Sequence, residues 1–277
     1  MKSFFFVPGN KLYKVYSVLE LGVDELIIDF EDSLLIDQRD DIFKKIETLQ
    51  SFDRFWYRIP LRNDFNECID FDFLQRFFDL GVKKIMIPKL ISLEEFKEVM
   101  FFLKEYDIEI ILLVEHPMLY LQLFEVLRIN SVDTNKVKGI ALGSHDLATF
   151  CGFESIESNF YSLRQNILLY CSAFNIEAID IASMNIANNI EFNKEVLSGV
   201  SLGYKAKLVI HPIQVKWLEA SKVKEQELLE EARKIVRNIP GGIFSKEINP
   251  FVLDGKVIEK PHIENAIKYL KKYENEK

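Results

Sequence analysis

Short apolar runs alternate with longer amphipathic stretches over roughly the first three-quarters of the chain, and no other feature limits the possible folds so severely. Residues 4–7, 25–29, 55–59, 84–88, 110–114, 137–142, 177–181 and 206–210 read as strands. Residues 11–21, 38–49, 71–80, 93–106, 119–129, 160–173 and 190–202 carry helical spacing between them, with Gly22, Gly81 and Gly203 placed as stops. Apolar strands bounded by helical patterns imply a parallel sheet covered on both faces. Eight such units in this length fit a closed (β/α)8 barrel, the TIM barrel of the α/β class, better than an open doubly wound sheet. No Gly-x-Gly-x-x-Gly follows the first strand, which weakens a dinucleotide-binding reading. Residues 1–220 are expected to form the barrel, and 221–277 a C-terminal helical and lid extension of the same domain. In that extension a helix is expected over 224–239, a turn at Pro240-Gly241-Gly242, a short segment over 251–260 and a last helix from Ile263.

Charge and cysteine usage narrow the function classes. Asp and Glu number 43 against 35 Lys and Arg, a net charge of −8, so a general nucleic-acid binder with a basic face is excluded. Cys68, Cys151 and Cys171 include no Cys-x-x-Cys pair, so neither a disulfide framework nor a cysteine zinc site is expected, and the compartment reads as reducing and cytoplasmic. No apolar run approaches the roughly 20 residues of a membrane span. The apolar start is stopped at Pro8-Gly9, too early for a signal peptide.

In a barrel of this kind the chemistry sits at the C-terminal ends of the strands. The second run ends Asp29-Phe30-Glu31-Asp32, the third carries Arg58, and the fourth ends Pro88-Lys89. The fifth ends Glu115-His116, the sixth Gly143-Ser144-His145-Asp146, the seventh Asp180, and the eighth His211-Pro212. Acids thus converge from several strand ends, with one Arg and one Lys among them. Close carboxylates need a cation, and oxygen-only ligands suit Mg²⁺ or Mn²⁺ completed by water and substrate. Asp180 reads as a group that orients a loop or a side chain behind the metal site, and Cys151 and Cys171 as fillers in or near the core.

These segments carry a resemblance. Ser3–Asn10 (SFFFVPGN), Ile27–Ser33 (IIDFEDS), Tyr57-Arg58, Ile87-Pro88-Lys89, Val114-Glu115, Gly143–Leu147, Ile210-His211-Pro212 with Gln214, and Asp254-Gly255-Lys256 occur in the order found in one family. The chain resembles the citrate lyase β-subunit and malyl-CoA lyase family of Mg²⁺-dependent carbon–carbon lyases, within the HpcH/HpaI aldolase superfamily. The resemblance implies Glu115 and Asp146 as metal ligands, Glu31 and Asp32 behind them on metal-bound waters, and Arg58 on the enolate oxygen. It implies an acid of a C-terminal lid from a neighbouring subunit at the enolate carbon, a position that falls on Glu259. Lys89, Pro8, Gly9, His145 and His211 are the further candidates for substrate contact, with ion pairing the alternative for Lys89 and local backbone bonding for His211. The implied partners are an acyl-CoA or 2-oxo acid substrate and further copies of the chain, as a trimer or hexamer. The sequence departs from the family's usual pattern at Lys2, Pro60, His116, His145 and Glu259. Two alternatives stay open: a metal-dependent pyruvate aldolase without CoA, and a catalytically weak subunit of a biosynthetic complex.

Overall fold

The computed structural model describes residues 1–62, 68–240 and 250–274. Its strands are β1 (Lys2–Pro8), β2 (Glu25–Asp29), β3 (Trp56–Arg58), β4 (Lys84–Ile87), β5 (Glu109–Val114), β6 (Val137–Leu142), β7 (Glu177–Asp180), β8 (Ala206–Val209), β9 (Phe251–Leu253) and β10 (Lys256–Ile258). Its helices are α1 (Val15–Leu19), α2 (Ile36–Ile46), α3 (Phe71–Asp79), α4 (Leu93–Phe102), α5 (Pro117–Leu121), α6 (Leu123–Ile129), α7 (Ser144–Cys151), α8 (Tyr161–Phe174), α9 (Asn189–Leu202), α10 (Pro212–Arg237) and α11 (Lys260–Glu274). The chain divides into two compact units, Met1–Leu218 and Glu219–Lys277.

In the first unit β1 to β8 run parallel in sequence order and close on themselves, with Phe4 of β1 opposite Leu208 of β8. The expected (β/α)8 barrel is therefore the observed fold. Strand side chains alternate between faces, and the alternation divides the core. Phe4, Ile27, Trp56, Met86, Ile111, Leu113, Ile179 and Leu208 pack together in the barrel interior. Their neighbours Phe5, Ile28, Tyr57, Ile85, Ile110 and Leu112 pack outward in the larger cluster, together with Phe77, Phe96 and Val126 from the helices. The strands are thus apolar on both faces, as a parallel sheet under helices requires.

Two charged residues break that outer layer. Asp180 and Lys207 are each fully buried. Arg164 of α8 donates from Nε and Nη2 to Asp180 at 2.8 Å each. It also pairs with Glu157. Lys207 Nζ donates to the Ile181 carbonyl at 2.7 Å and lies 3.9 Å from Asp180. The network ties β7 and β8 to α8 on the outer wall of the barrel. Asp180 works there, beside its own loop, and faces away from the mouth.

Several boundaries differ from the sequence expectation for local reasons. The stretch 11–21 is a 3-10 turn, Gly9–Lys14, followed by α1, because Lys11 leaves helical geometry (φ −118°, ψ 30°). The stretch 119–129 splits at Gln122 into α5 and α6. Helix α5 begins early, with His116 Nδ1 accepting the Met118 N–H and Pro117 in the first turn. Helix α7 occupies a stretch after β6 in which the sequence pattern predicts no helix. The last helix of the barrel starts at Pro212 and runs on through residue 237 as α10.

In the second unit β9 and β10 form an antiparallel hairpin. Its turn is Asp254-Gly255, both at positive φ (50° and 77°), the geometry that two-residue hairpins select. Ile239, Ile258 and Ile263 make its small core, with Phe251, Leu253 and Ile267 against them. Gly241 and Gly242 of the expected turn lie outside the described residues. No described helix is long and apolar enough to cross a membrane.

Candidate active site

The mouth of the barrel is organised by Arg58, the last residue of β3. Parallel register places Arg58 opposite Asp29, the last residue of β2. The guanidinium donates from Nε to Asp29 Oδ1 at 2.7 Å and from Nη2 to Oδ2 at 2.9 Å, a two-point fork. Its third nitrogen, Nη1, lies 3.0 Å from both Glu31 and Asp32. The guanidinium also sits 5.1 Å over the Phe6 ring. Burial works against the charge, but the three carboxylates hold the Arg58 pKa above its ordinary value. Asp29 has no role in the sequence expectation; its signal is its place at the end of the strand that neighbours the strand of Arg58.

Lys89 follows β4 with its backbone in the left-handed region (φ 50°), an uncommon state for a residue with a side chain. That twist lets its N–H donate to Glu115 Oε2 at 2.8 Å. Its ammonium lies 2.6 Å from Glu31 and 3.1 Å from Asp32. Of the two readings for Lys89, ion pairing is the contact the structure displays. Burial raises the Glu31 pKa against the pull of Arg58. Asp32 is half-exposed, and Arg58 and Lys89 overcome its burial and lower its pKa.

Glu115 is different. It ends β5, is 5% exposed, and no side-chain cation pairs with it among the described residues. Burial, with the Glu31 and Asp146 carboxylates nearby, pushes its pKa up to about 8. Gly143 is required here, because a Cβ at that position would come 2.2 Å from Glu115 Cγ and 2.7 Å from Oε1. Asp146 is exposed in the first turn of α7, where the helix N-terminus favours a carboxylate.

Arg58, Asp29, Asp32, Glu115, Asp146, His145, Pro8, Phe6, Ala182 and Met184 line one cavity of about 330 Å³. His145 Nδ1 is 2.8 Å from Ser155 Oγ. Gly9 does not line the cavity; it packs against Asp29 and Leu34, with only 2.7 Å available to a Cβ, and its N–H donates to Ser33 Oγ. His211 and His116 cap their own helices through Nδ1, on the Ile213 and Met118 N–H groups, and neither lines the cavity. Glu259 belongs to the second unit, exposed just after β10, where its N–H donates to His262 Nδ1 at 3.1 Å.

Whether this mouth fits a divalent cation can be tested on its donors. Among the described residues no three His, Cys, Asp or Glu side chains form a ready-made cage. Mg²⁺ takes one or two carboxylates and keeps waters, so a full cage is not needed. A buried carboxylate lacking a cation, seated against a glycine and facing a second carboxylate across a cavity, matches that demand.

A guanidinium and unevenly neutralised carboxylates at the C-terminal mouth of a closed parallel barrel define a barrel enzyme. The chain belongs to the HpcH/HpaI aldolase/citrate lyase family, whose sequence profile matches residues 2–212, and is a carbon–carbon lyase by class. It is 24% identical to citrate lyase subunit beta of Haemophilus influenzae over 96% of this chain and 94% of that one. It is 24% identical to the mitochondrial citramalyl-CoA lyase of Homo sapiens over 96% of this chain and 83% of that one. Among solved structures, protein CitE from Mycobacterium tuberculosis in complex with magnesium, acetoacetate and coenzyme A superposes with a TM-score of 0.80. That match has 19% identity and covers 98% of this chain and 97% of the other.

Proposed function

We propose that the chain is a Mg²⁺-dependent lyase that cleaves, or in reverse forms, a carboxylated 3-hydroxyacyl-CoA, giving an acyl-CoA and a 2-oxo acid. The observation that carries this reading is the clamped Arg58 facing Glu115 and Asp146 across a single cavity. In the cleavage the carbinol proton passes to water in the cavity, its oxygen becomes a carbonyl, and the carbon–carbon electron pair moves onto the thioester as an enolate. Arg58 is held rigid by Asp29, Glu31 and Asp32, and so presents fixed positive charge to the enolate oxygen without reorganising. Glu115 and Asp146 would hold Mg²⁺, which when bound supplies Lewis-acid polarisation of the oxo-acid oxygen. Asp32 at the cavity wall and Glu31 behind it keep Arg58 and Lys89 in place. Protonation of the enolate carbon is assigned to Glu259, delivered by a neighbouring copy of the chain in a homo-oligomer. The related CitE structure holding magnesium, acetoacetate and coenzyme A supports both the metal and the thioester.

Proton NMR in D₂O tests the reading. With Mg²⁺ present, acetyl-CoA or propionyl-CoA is expected to lose its α-proton signal, and Glu115→Ala to abolish the loss. Exchange confined to pyruvate would replace this reading with that of a CoA-independent aldolase. No exchange with any of the three would refute enolisation at this site.

A further inference from the structure

Among the described residues most buried cations have carboxylate partners; Arg39 has none. It lies in α2, is 8% exposed, and its Nε has no hydrogen-bond partner. No ion pair reaches it among the described residues, whereas Arg58 and Arg164 each hold more than one acid. A donor sealed from water without a partner is costly and calls for an explanation, and the terminal nitrogens of the same guanidinium are left to the cavity it lines.

Arg39 faces a cavity of about 340 Å³ beside the catalytic mouth, walled by Leu34, Pro60, Leu61, Arg62 and Lys89. Glu31 and Asp32 also border it, but their oxygens are already met by Arg58 and Lys89. Arg62 is held by Glu95 and donates to the Lys89 carbonyl at 3.0 Å. Arg39 is therefore the cation on this wall whose charge no described carboxylate answers.

We propose that this cavity is an anion subsite, in which Arg39 binds a small free oxyanion, either a carboxylate or a phosphate. The planar guanidinium fork matches both groups. Leu34, Pro60 and Leu61 lower the local dielectric and strengthen the contact. Lys89 couples the subsite to the catalytic mouth, because one face of its side chain borders the cavity while its N–H holds Glu115. An anion here competes with Glu31 and Asp32 for the Lys89 ammonium. The inference goes beyond the lyase reading and does not rest on it, since its readout is binding.

The test uses the full-length protein with inorganic phosphate and with succinate, each against sodium chloride of equal ionic strength. Thermal unfolding and isothermal titration are read together. A saturable rise in Tm with one or both anions is expected, and the arm that responds tells a tetrahedral from a planar ligand. Arg39→Met is expected to raise the Kd at least tenfold, while melting no lower than the wild type in anion-free buffer. Arg39→Lys keeps the charge but loses the fork, and is expected to raise the Kd at least threefold. Three results would each overturn the proposal. One is the absence of any saturable response beyond chloride, which leaves water as the occupant. Another is a Kd unchanged in both variants. The third is a Met variant that melts below the wild type or fails to fold, which would reveal an internal partner for Arg39.

Discussion

Replacing Glu115 with glutamine separates the demands of folding from those of the site. An exposed glutamate titrates near 4.5, and in the folded protein Glu115 is pushed up to about 8. Between those values the folded state holds a proton that the unfolded chain has released, so stability falls as pH rises through this window. At pH 7 the gap of about 2.5 units corresponds to a cost of about 3 kcal/mol at 1.36 kcal/mol per unit. Glutamine has nearly the same shape and keeps an oxygen for the Lys89 N–H that Glu115 now accepts at 2.8 Å. It cannot ionise against Glu31 and Asp146. Glu115→Gln is therefore expected to stabilise the metal-free protein by about 1–3 kcal/mol at pH 7, a rise of several degrees at about 2–4 °C per kcal/mol. Thermal unfolding in EDTA across pH 5 to 8 measures it. The gain should shrink towards zero near pH 5, where both side chains are neutral. Added Mg²⁺ should then raise the wild-type Tm and leave the variant unmoved, with activity lost. A variant that melts below the wild type at pH 7, or a gain independent of pH, would refute the reasoning.

Asp29→Asn breaks the fork on Arg58 without emptying the cavity, and kcat should fall by about 10–100-fold with KM little changed, since a misaligned donor loses mainly transition-state stabilisation. Steady-state kinetics decide it, and a pure KM effect would argue for a binding role. Asp180→Ala removes the fully buried carboxylate that Arg164 grips through two nitrogens and leaves it only Glu157, so urea unfolding should show a loss of about 3 kcal/mol; a loss below about 1 kcal/mol would mean that the outer network is dispensable. Cys68 and Cys151 are exposed and Cys171 is buried. Iodoacetamide should label two thiols quickly in the native protein and the third only on unfolding, as mass spectrometry would count. Burial also pushes the Cys171 thiol up to about 12. The unfolded chain releases that proton first, so stability should decline as pH rises above about 9, and Cys171→Ala should flatten the decline.

How much of this was legible in the sequence depends on the range of the interaction. Strand–helix alternation is local, and it placed all eight barrel strands within a residue or two of their observed bounds. The acids and the arginine were legible as strand-end residues, because a barrel collects those ends at one mouth. Registration between strands is not local: that Asp29 grips Arg58 follows from β2 lying beside β3 with those two residues opposite. Gly143 reads as a turn glycine until the Glu115 side chain is seen filling the space of its missing Cβ. The left-handed backbone of Lys89 leaves no mark in composition, since lysine has no preference for it. Arg39 sits within an ordinary amphipathic pattern, and only the three-dimensional packing shows that no described carboxylate reaches it.

The charges at the mouth are divided unevenly, and in the proposed mechanism that division carries the chemistry. Asp29, Glu31 and Asp32 surround Arg58, and Lys89 reinforces the last two, so this half of the site is neutralised before any ligand arrives. Such saturation makes Arg58 stiff, which is what a donor aimed at a developing oxyanion needs. Among the described residues Glu115 receives a backbone N–H and no paired side-chain cation, and the pull of Arg58 does not offset its burial. Sharing the cations evenly would have satisfied Glu115 and stabilised the fold. It would also have loosened Arg58 and removed the reason for a divalent cation to enter. The site thus keeps one carboxylate in electrostatic debt, and the stability it forgoes there is the quantity that Glu115→Gln is designed to recover.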